Sequence, residues 1–181
     1  MKNLLKIGVV ALGMFLTIGT VNAQQKFGHI NSADLLQSMP EMKTADATFQ
    51  TFAKAKQTSL ELMGAERQKL VVSYEEKYKT LSEANRATLE KELTTLGASI
   101  QDLERRITDE QEKAQDEMTT KRSEIYQPVF KKAEDAVKAV AKEKGFTYVF
   151  DVSQPGVVYF DGGIDMLNDV KAKLGIATAA K

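Results

Sequence analysis

Apolar residues recur at spacings of three and four along the middle of the chain. The pattern is clearest in the second half of the stretch 41–126, at Leu89, Leu93, Leu96, Ile100, Leu103 and Ile107. Such spacing predicts a helix with one apolar stripe, of the kind that packs against another helix. The first half carries a less regular stripe that includes Leu70, Tyr74 and Leu81. Since neither stripe can be buried alone, we predict that the two halves fold back on each other.

A reversal of the chain near residues 82–86 brings the two stripes into register. Facing residues then have numbers that sum to about 170, and Tyr74, for example, meets Leu96. The sequence thus predicts that residues 41–126 form a long antiparallel coiled-coil hairpin, with the nine residues above as its seam and Ser82 as the cap of its second helix. At about 1.5 Å per residue, each helix would extend about 60 Å, too far for the rest of the chain to cover.

Two prolines mark the base of this hairpin. Pro40 and Pro128 lie almost opposite each other in the predicted register, and proline interrupts or redirects a helix. We place the boundary between an arm and a body there. The arm is then 41–126, and the body is discontinuous, formed from residues 24–40 and 127–181.

The body has the sequence pattern of a small α+β unit. An alternating strand precedes a short helix capped by Ser32, and the helix after Pro128 ends at Gly145. Two β-rich runs, 146–152 and 157–160, flank a Pro-Gly turn and predict a β-hairpin, followed by a helix from Ile164 to Leu174. Three short strands leave exposed sheet edges and a thin core, so we expect the chain to associate with copies of itself.

The N-terminus and the composition predict an exported protein. Residues 1–23 contain two lysines, an apolar run of about twelve residues and the ending Val-Asn-Ala, which is typical of a signal peptide cleaved after Ala23. The apolar run is shorter than a bilayer-spanning helix requires. The chain has no cysteine, so disulfides cannot stabilise it.

Charge and the reactive residues argue against enzymatic or polyanion-binding roles. Residues 41–126 contain 14 basic and 17 acidic residues, a balance that disfavours nucleic acid, lipopolysaccharide or membrane-surface contact. His29 is the only histidine and has no partners with which to build a catalytic triad. Gly162-Gly163 lacks the Lys-Ser/Thr of a phosphate loop, and acid pairs such as Asp109-Glu110 lack metal-loop spacing. We therefore expect no catalytic residue, metal or cofactor.

The order of these elements resembles the Skp, or OmpH-like, family of periplasmic chaperones. The resemblance rests on the signal peptide, the opening stretch 28–36, the long charged hairpin, and the ending from Gly145 through Val158-Tyr159 to Asp165. It implies a homotrimer whose copies pool their strands into a small β-barrel body, with helical arms around a cavity that holds unfolded outer-membrane proteins without nucleotide. The residues predicted to build that body are Phe27, Ile30, Val149, Phe150, Val157 and Tyr159.

A binding role requires surfaces rather than reactive groups. Apolar residues of the first helix that lie outside the seam are candidates for weak, multivalent contacts with a client. They are Leu60, Leu62, Val71, Val72 and Tyr78. Two alternatives stay open: these residues complete the packing of the hairpin or trimer, or the chain is a structural coiled coil that bridges fixed envelope partners.

Overall fold

The computed structural model describes residues 25–177, and the predicted signal peptide, 1–23, lies outside the described residues. The elements in chain order are β1 (Phe27–Ile30), α1 (Ser32–Ser38), α2 (Pro40–Lys79), α3 (Arg86–Lys144), β2 (Tyr148–Asp151), β3 (Ile164–Asp165) and α4 (Leu167–Lys173). The predicted combination of long helices with a small sheet is confirmed. Within the described range, no helix is both long and apolar enough to cross a membrane.

Helices α2 and α3 lie against each other and are joined by a short turn at residues 80–85. Lys77 pairs with Glu92 and Arg67 with Glu104 across the two helices, which matches the predicted sum of about 170. Ser82 does not cap α3, contrary to the prediction. Its amide donates to Oδ1 of Asn85 at 2.8 Å, and Nδ2 of Asn85 donates to the Thr80 carbonyl at 2.8 Å. Because this side chain closes the turn from both ends, the helix starts only at Arg86.

The prolines at the base of the arm act differently. Pro40 occupies the first position of α2, directly after Met39, where its missing amide costs nothing. Pro128 lies inside α3, which continues for sixteen more residues to Lys144. The helix ends at Gly145 in the left-handed conformation, with φ of 69°, as the sequence predicts. One continuous helix therefore belongs to both the arm and the predicted body.

The sheet has the order β2-β1-β3, and β1 pairs in parallel with both neighbours. The predicted β-hairpin between 146–152 and 157–160 is therefore wrong. A parallel partner requires a long crossover connection, and the hairpin of α2 and α3 supplies one by delivering β2 beside β1. Within a single chain, residues 157–160 form no strand.

Helix starts in the body also differ from the prediction. Asn31, rather than Ser32, caps α1, because its side-chain oxygen accepts from the Asp34 amide at 3.1 Å. The last helix does not begin at Ile164, which belongs to β3. It begins at Leu167, whose amide donates to Oδ1 of Asp165 at 2.9 Å. This bond satisfies one of the free amides at the start of the helix.

Burial is concentrated where α1, α4 and the sheet pack on the end of α3. This cluster includes Ile30, Leu35, Met39, Ala45, Val129, Ala133, Ala136, Val140, Met166 and Val170. Gly28 lies on the inner face of the sheet, where an added Cβ would come within 2.9 Å of the Phe146 ring and 3.0 Å of the Met166 sulfur. A methyl group there would require the Phe146 and Met166 side chains to shift.

Candidate interaction surfaces

The outer face of the sheet is aromatic and uncovered. Alternation along the strands sends Gly28 and Ile30 inward and leaves Phe27, Tyr148 and Phe150 outside. The three rings stack, with the Phe27 centroid 5.8 Å from that of Tyr148 and 6.2 Å from that of Phe150. Each ring is about half exposed. A stacked apolar surface of this kind on a small body is typical of a protein interface.

Residues 157–160 form a second apolar element beside this face. Val158 is 96% exposed and Tyr159 80% exposed, while the Phe160 ring lies 5.0 Å from that of His29. Within the described residues, the amides of 158–160 donate to no protein acceptor. The segment is thus an exposed apolar run whose amides at 158–160 are free.

The residues predicted for the body fall into two groups. Ile30 is buried and Val149 packs against the core of the same chain. Phe27, Phe150 and Tyr159 are exposed, and Val157 is half-buried. The sequence analysis missed Tyr148, Phe160 and Ile164. Tyr148 follows from strand alternation, since it lies two residues before Phe150 on the same face.

All nine residues of the predicted seam are at least partly buried, and their packing against one another stays a prediction. Leu93 and Leu103 are buried, and the other seven residues are half-buried. Two helices without a third element leave part of each seam side chain in contact with solvent. The arm therefore depends on a single layer of apolar contacts.

Halfway along the arm, the seam is charged rather than apolar. Nζ of Lys56 lies 3.4 Å from Oε1 of Glu110 and also contacts Glu117. The hydrogen bond that Lys56 donates to Glu117 raises the pKa of Lys56 against the opposing effect of burial. Ala114 is buried beside these groups but is small. Charged and small side chains therefore take the place of large apolar ones at this point of the seam.

The five candidate contact residues on α2 differ in exposure. Leu62 is 67% exposed, Tyr78 60% and Val72 41%, whereas Leu60 and Val71 are half-buried. The Tyr74 and Tyr78 rings stack at 6.4 Å with an interplanar angle of 8°. The arm thus presents isolated apolar side chains among charged neighbours, not one large patch.

The side chains that could act as an acid or a base take part in structural contacts. Among the described residues, no cluster of His, Cys, Asp or Glu side chains could hold a metal ion. Asp151 accepts hydrogen bonds from the amides and hydroxyls of Ser32 and Ser153. Burial raises the pKa of Asp151, but these hydrogen bonds outweigh burial and lower the pKa to about 2. Asp151 therefore ties the end of β2 to the start of α1.

Comparison with known proteins identifies a family with this architecture. The model of the OmpH-like outer membrane protein family matches residues 26–174, which include every described strand and helix. The chain belongs to this OmpH-like family. It is 26% identical over 156 residues to the chaperone protein Skp of Vibrio cholerae, a match that covers 84% of this chain and 88% of that protein.

A solved structure shares the fold of this OmpH-like chain. It is a putative outer membrane chaperone (OmpH-like) from Caulobacter crescentus, with a TM-score of 0.68 and 15% sequence identity. The match covers 88% of this chain and 90% of the other. The long helical hairpin and the small parallel sheet are thus features shared with that structure.

Proposed function

We propose that this protein is an ATP-independent chaperone of the periplasm that holds unfolded outer-membrane proteins and prevents their aggregation. The observation that carries the proposal is membership of the OmpH-like family over almost the whole described chain. The chaperone named among its relatives supports the same role. The N-terminal residues 1–23, with their signal-peptide pattern, support export from the cytoplasm.

The open aromatic sheet face supports assembly into a homotrimer through the body. Phe27, Tyr148 and Phe150 would be buried against neighbouring copies, and residues 157–160 could add their free main-chain groups to the exposed edge of β2 in a neighbour. Each copy would then cover the free edge of β2 in its neighbour, and these contacts would close into a ring. The arms would then extend from a common base and enclose a cavity whose walls are the helical hairpins.

Client retention in this proposal depends on many weak contacts along the arms. Exposed residues such as Leu62 and Tyr78 each bury little area, yet several such contacts on several arms act together. Release requires no nucleotide, because an outer-membrane protein is more stable as a folded barrel in the membrane, where all its main-chain groups are paired.

Aggregation of a urea-denatured β-barrel membrane protein, followed by light scattering after dilution, tests the function. We expect the mature protein to suppress scattering at about one trimer per client without nucleotide. Absence of suppression across several clients would contradict the proposal. Recovery from cells of one stable partner, instead of many unfolded clients, would favour the bridging coiled coil.

Sedimentation tests the trimer. Phe150→Asp places a charge on the open sheet face and should yield monomers that keep their helical content. Leu62→Asp places the same charge on an exposed arm position and should leave the mass unchanged. If the Phe150→Asp variant still sediments as a trimer, the interface does not lie on the aromatic face.

A further inference from the structure

His29 is the only histidine of the chain, and it lies on the central strand of the sheet. Alternation along β1 places its side chain on the same face as Phe27, away from the core. Its neighbours across the sheet are Phe150 on β2 and Asp165 on β3. The imidazole is half-buried in one chain. It therefore stands in the middle of the face that the body's own helices leave uncovered.

The side chains closest to the imidazole bring no charge to it. The Phe160 ring lies 5.0 Å from the imidazole ring at an interplanar angle of 44°. At Gly163, an added Cβ would lie 3.5 Å from Nδ1 of His29. Tyr148 and Tyr159 belong to the same apolar surroundings and contribute only hydroxyl groups. Within the described residues, the His29 side chain has no hydrogen-bond partner.

Two carboxylates lie near this face, and each has another partner. Oδ1 of Asp165 accepts from the Leu167 amide at 2.9 Å. Oδ2 of Asp161 accepts from the Tyr159 hydroxyl at 3.3 Å. In the part of the chain that the structure describes, neither forms an ion pair with His29. A proton on the imidazole would thus find no counter-ion in place.

The remaining charged groups beside this face do not supply one either. Lys26 lines the same cavity as His29 and carries the same sign of charge as a protonated imidazole. Its Nζ donates to the Lys144 carbonyl at 2.8 Å and lies 4.6 Å from the centroid of the Phe146 ring. Asp151, at the end of β2, is held by the two serine hydroxyls described above.

Assembly through the uncovered face would enclose the imidazole. In the proposed trimer the helices lie outside the shared body, so the opposite face of each sheet lines its interior, and side chains fill the interior of a small barrel. Symmetry places the same residue of every copy at the same level. Three His29 side chains would then share one interior with the Phe27 and Phe150 rings. Protonated imidazoles there would lose their hydration and repel one another.

We infer that His29 makes the association of copies depend on pH, because the trimer encloses three neutral imidazoles and dissociates when they take up protons. The inference rests on the proposed homotrimer and adds a regulation to it. Histidine is the side chain that ordinarily changes charge between pH 5 and 8. Since the chain has one histidine and no cysteine, the N-terminal amine is the other group that ordinarily titrates in this range.

The direction and the size of the effect follow from linkage. The neutral imidazole is the form that assembles, so association is strongest at high pH and weakens as the solution is acidified. Each imidazole that has to lose a proton on assembly weakens association by up to about tenfold per pH unit. For three protomers, the trimer dissociation constant would rise by up to about a thousandfold per unit.

Sedimentation equilibrium of the mature protein over a range of concentrations, at pH 7.5 and at pH 5.5, measures this constant. We expect the wild-type constant to rise by at least about a hundredfold on acidification. His29→Gln is neutral at both pH values and keeps the N-terminal amine and every carboxylate, so its constant should change by less than about threefold. His29→Leu is a second neutral variant, with the same expected result.

The wild-type protein provides a test that needs no substitution. The slope of the logarithm of the dissociation constant against pH counts the protons taken up per trimer, and we expect about two to three between pH 6.5 and 5.5. A slope below about one would overturn the inference, because one histidine per copy would then not control assembly.

The outcomes separate this inference from the proposed function. A wild-type trimer with the same constant at both pH values would refute the role of His29 and leave the trimer and the chaperone role in place. Equal weakening of wild type and both neutral variants would assign the effect to other groups and also overturn the inference. If the protein is a monomer at pH 7.5, the proposed assembly fails together with this inference, whereas the aggregation assay still decides the chaperone role.

Discussion

Replacing Asp151 by Asn should destabilise the body in a way that depends on pH. The carboxylate accepts from the Ser32 amide at 3.1 Å, the Ser32 hydroxyl at 2.5 Å, and the Ser153 amide and hydroxyl at 3.0 and 2.7 Å. Hydrogen bonds to a charged acceptor are about twice as strong as those to a neutral one. An amide of the same shape would keep the packing but weaken this link between β2 and α1.

The size of the effect follows from the pKa. The folded pKa of Asp151 is about 2, against an ordinary value of 3.8, and this difference corresponds to about 2 kcal/mol of stability at neutral pH. Because the folded carboxyl has the lower pKa, the unfolded chain binds the proton more readily as the solution is acidified. The contribution is therefore complete above about pH 5 and is lost as the pH falls from about 4 to 2.

Urea unfolding between pH 2 and 7, at fixed protomer concentration, measures this contribution. We expect Asp151→Asn to unfold about 2 kcal/mol more easily than wild type at pH 6 and to approach wild type near pH 2. Asp109→Asn, at an exposed position of the arm, serves as a control and should change little at any pH. A difference between Asp151→Asn and wild type that is equal at pH 2 and pH 6 would refute the argument, because the loss would then not come from the charge.

Three further substitutions test the packing. Gly28→Ala should cost about 1–3 kcal/mol and lower the melting temperature, because the added methyl would meet the Phe146 ring and the Met166 sulfur; an unchanged melting temperature would show that these side chains give way. Leu103→Ala should cost about 2–5 kcal/mol by creating a cavity in the seam. It should increase amide exchange more in the arm than in the body, and an equal increase in both would contradict separate stabilities of arm and body. Pro128→Ala should stabilise α3 by up to about 3 kcal/mol in urea unfolding, and a loss of stability would mean that the proline is required there.

The sequence predicts the hairpin well because its information is local and repetitive. Heptad spacing of residues such as Leu96 and Ile100 determines both the helices and their register, and Gly145 marks the end of α3 through its own backbone freedom. Pro40 marks the start of α2 in the same local way. Pro128 does not mark a helix boundary. Only one hydrogen bond is missing there, and the buried core holds the turns of α3 on both sides of it.

The sheet was harder to predict, because strand pairing depends on distant parts of the chain. The runs around Tyr148 and Tyr159 have strand composition and are separated by a turn, so sequence alone favours a local antiparallel hairpin. The structure instead pairs β2 with β1, more than a hundred residues earlier. The shared face of Tyr148 and Phe150 follows from strand alternation, but its position beside Phe27 depends on the parallel register of β1 and β2.

The continuity of α3 links the body to the arm. Its residues 129–140 contribute to the core beneath the sheet, and its residues 89–107 form one side of the predicted seam. Because one helix spans both parts, the body determines the direction in which the arm leaves the core. The charged mid-arm contact of Lys56 with Glu110 lies between these two parts, where charged and small side chains take the place of large apolar ones. We therefore expect amide exchange to be faster there than near the turn, because little apolar packing has to be broken to open the arm at this point.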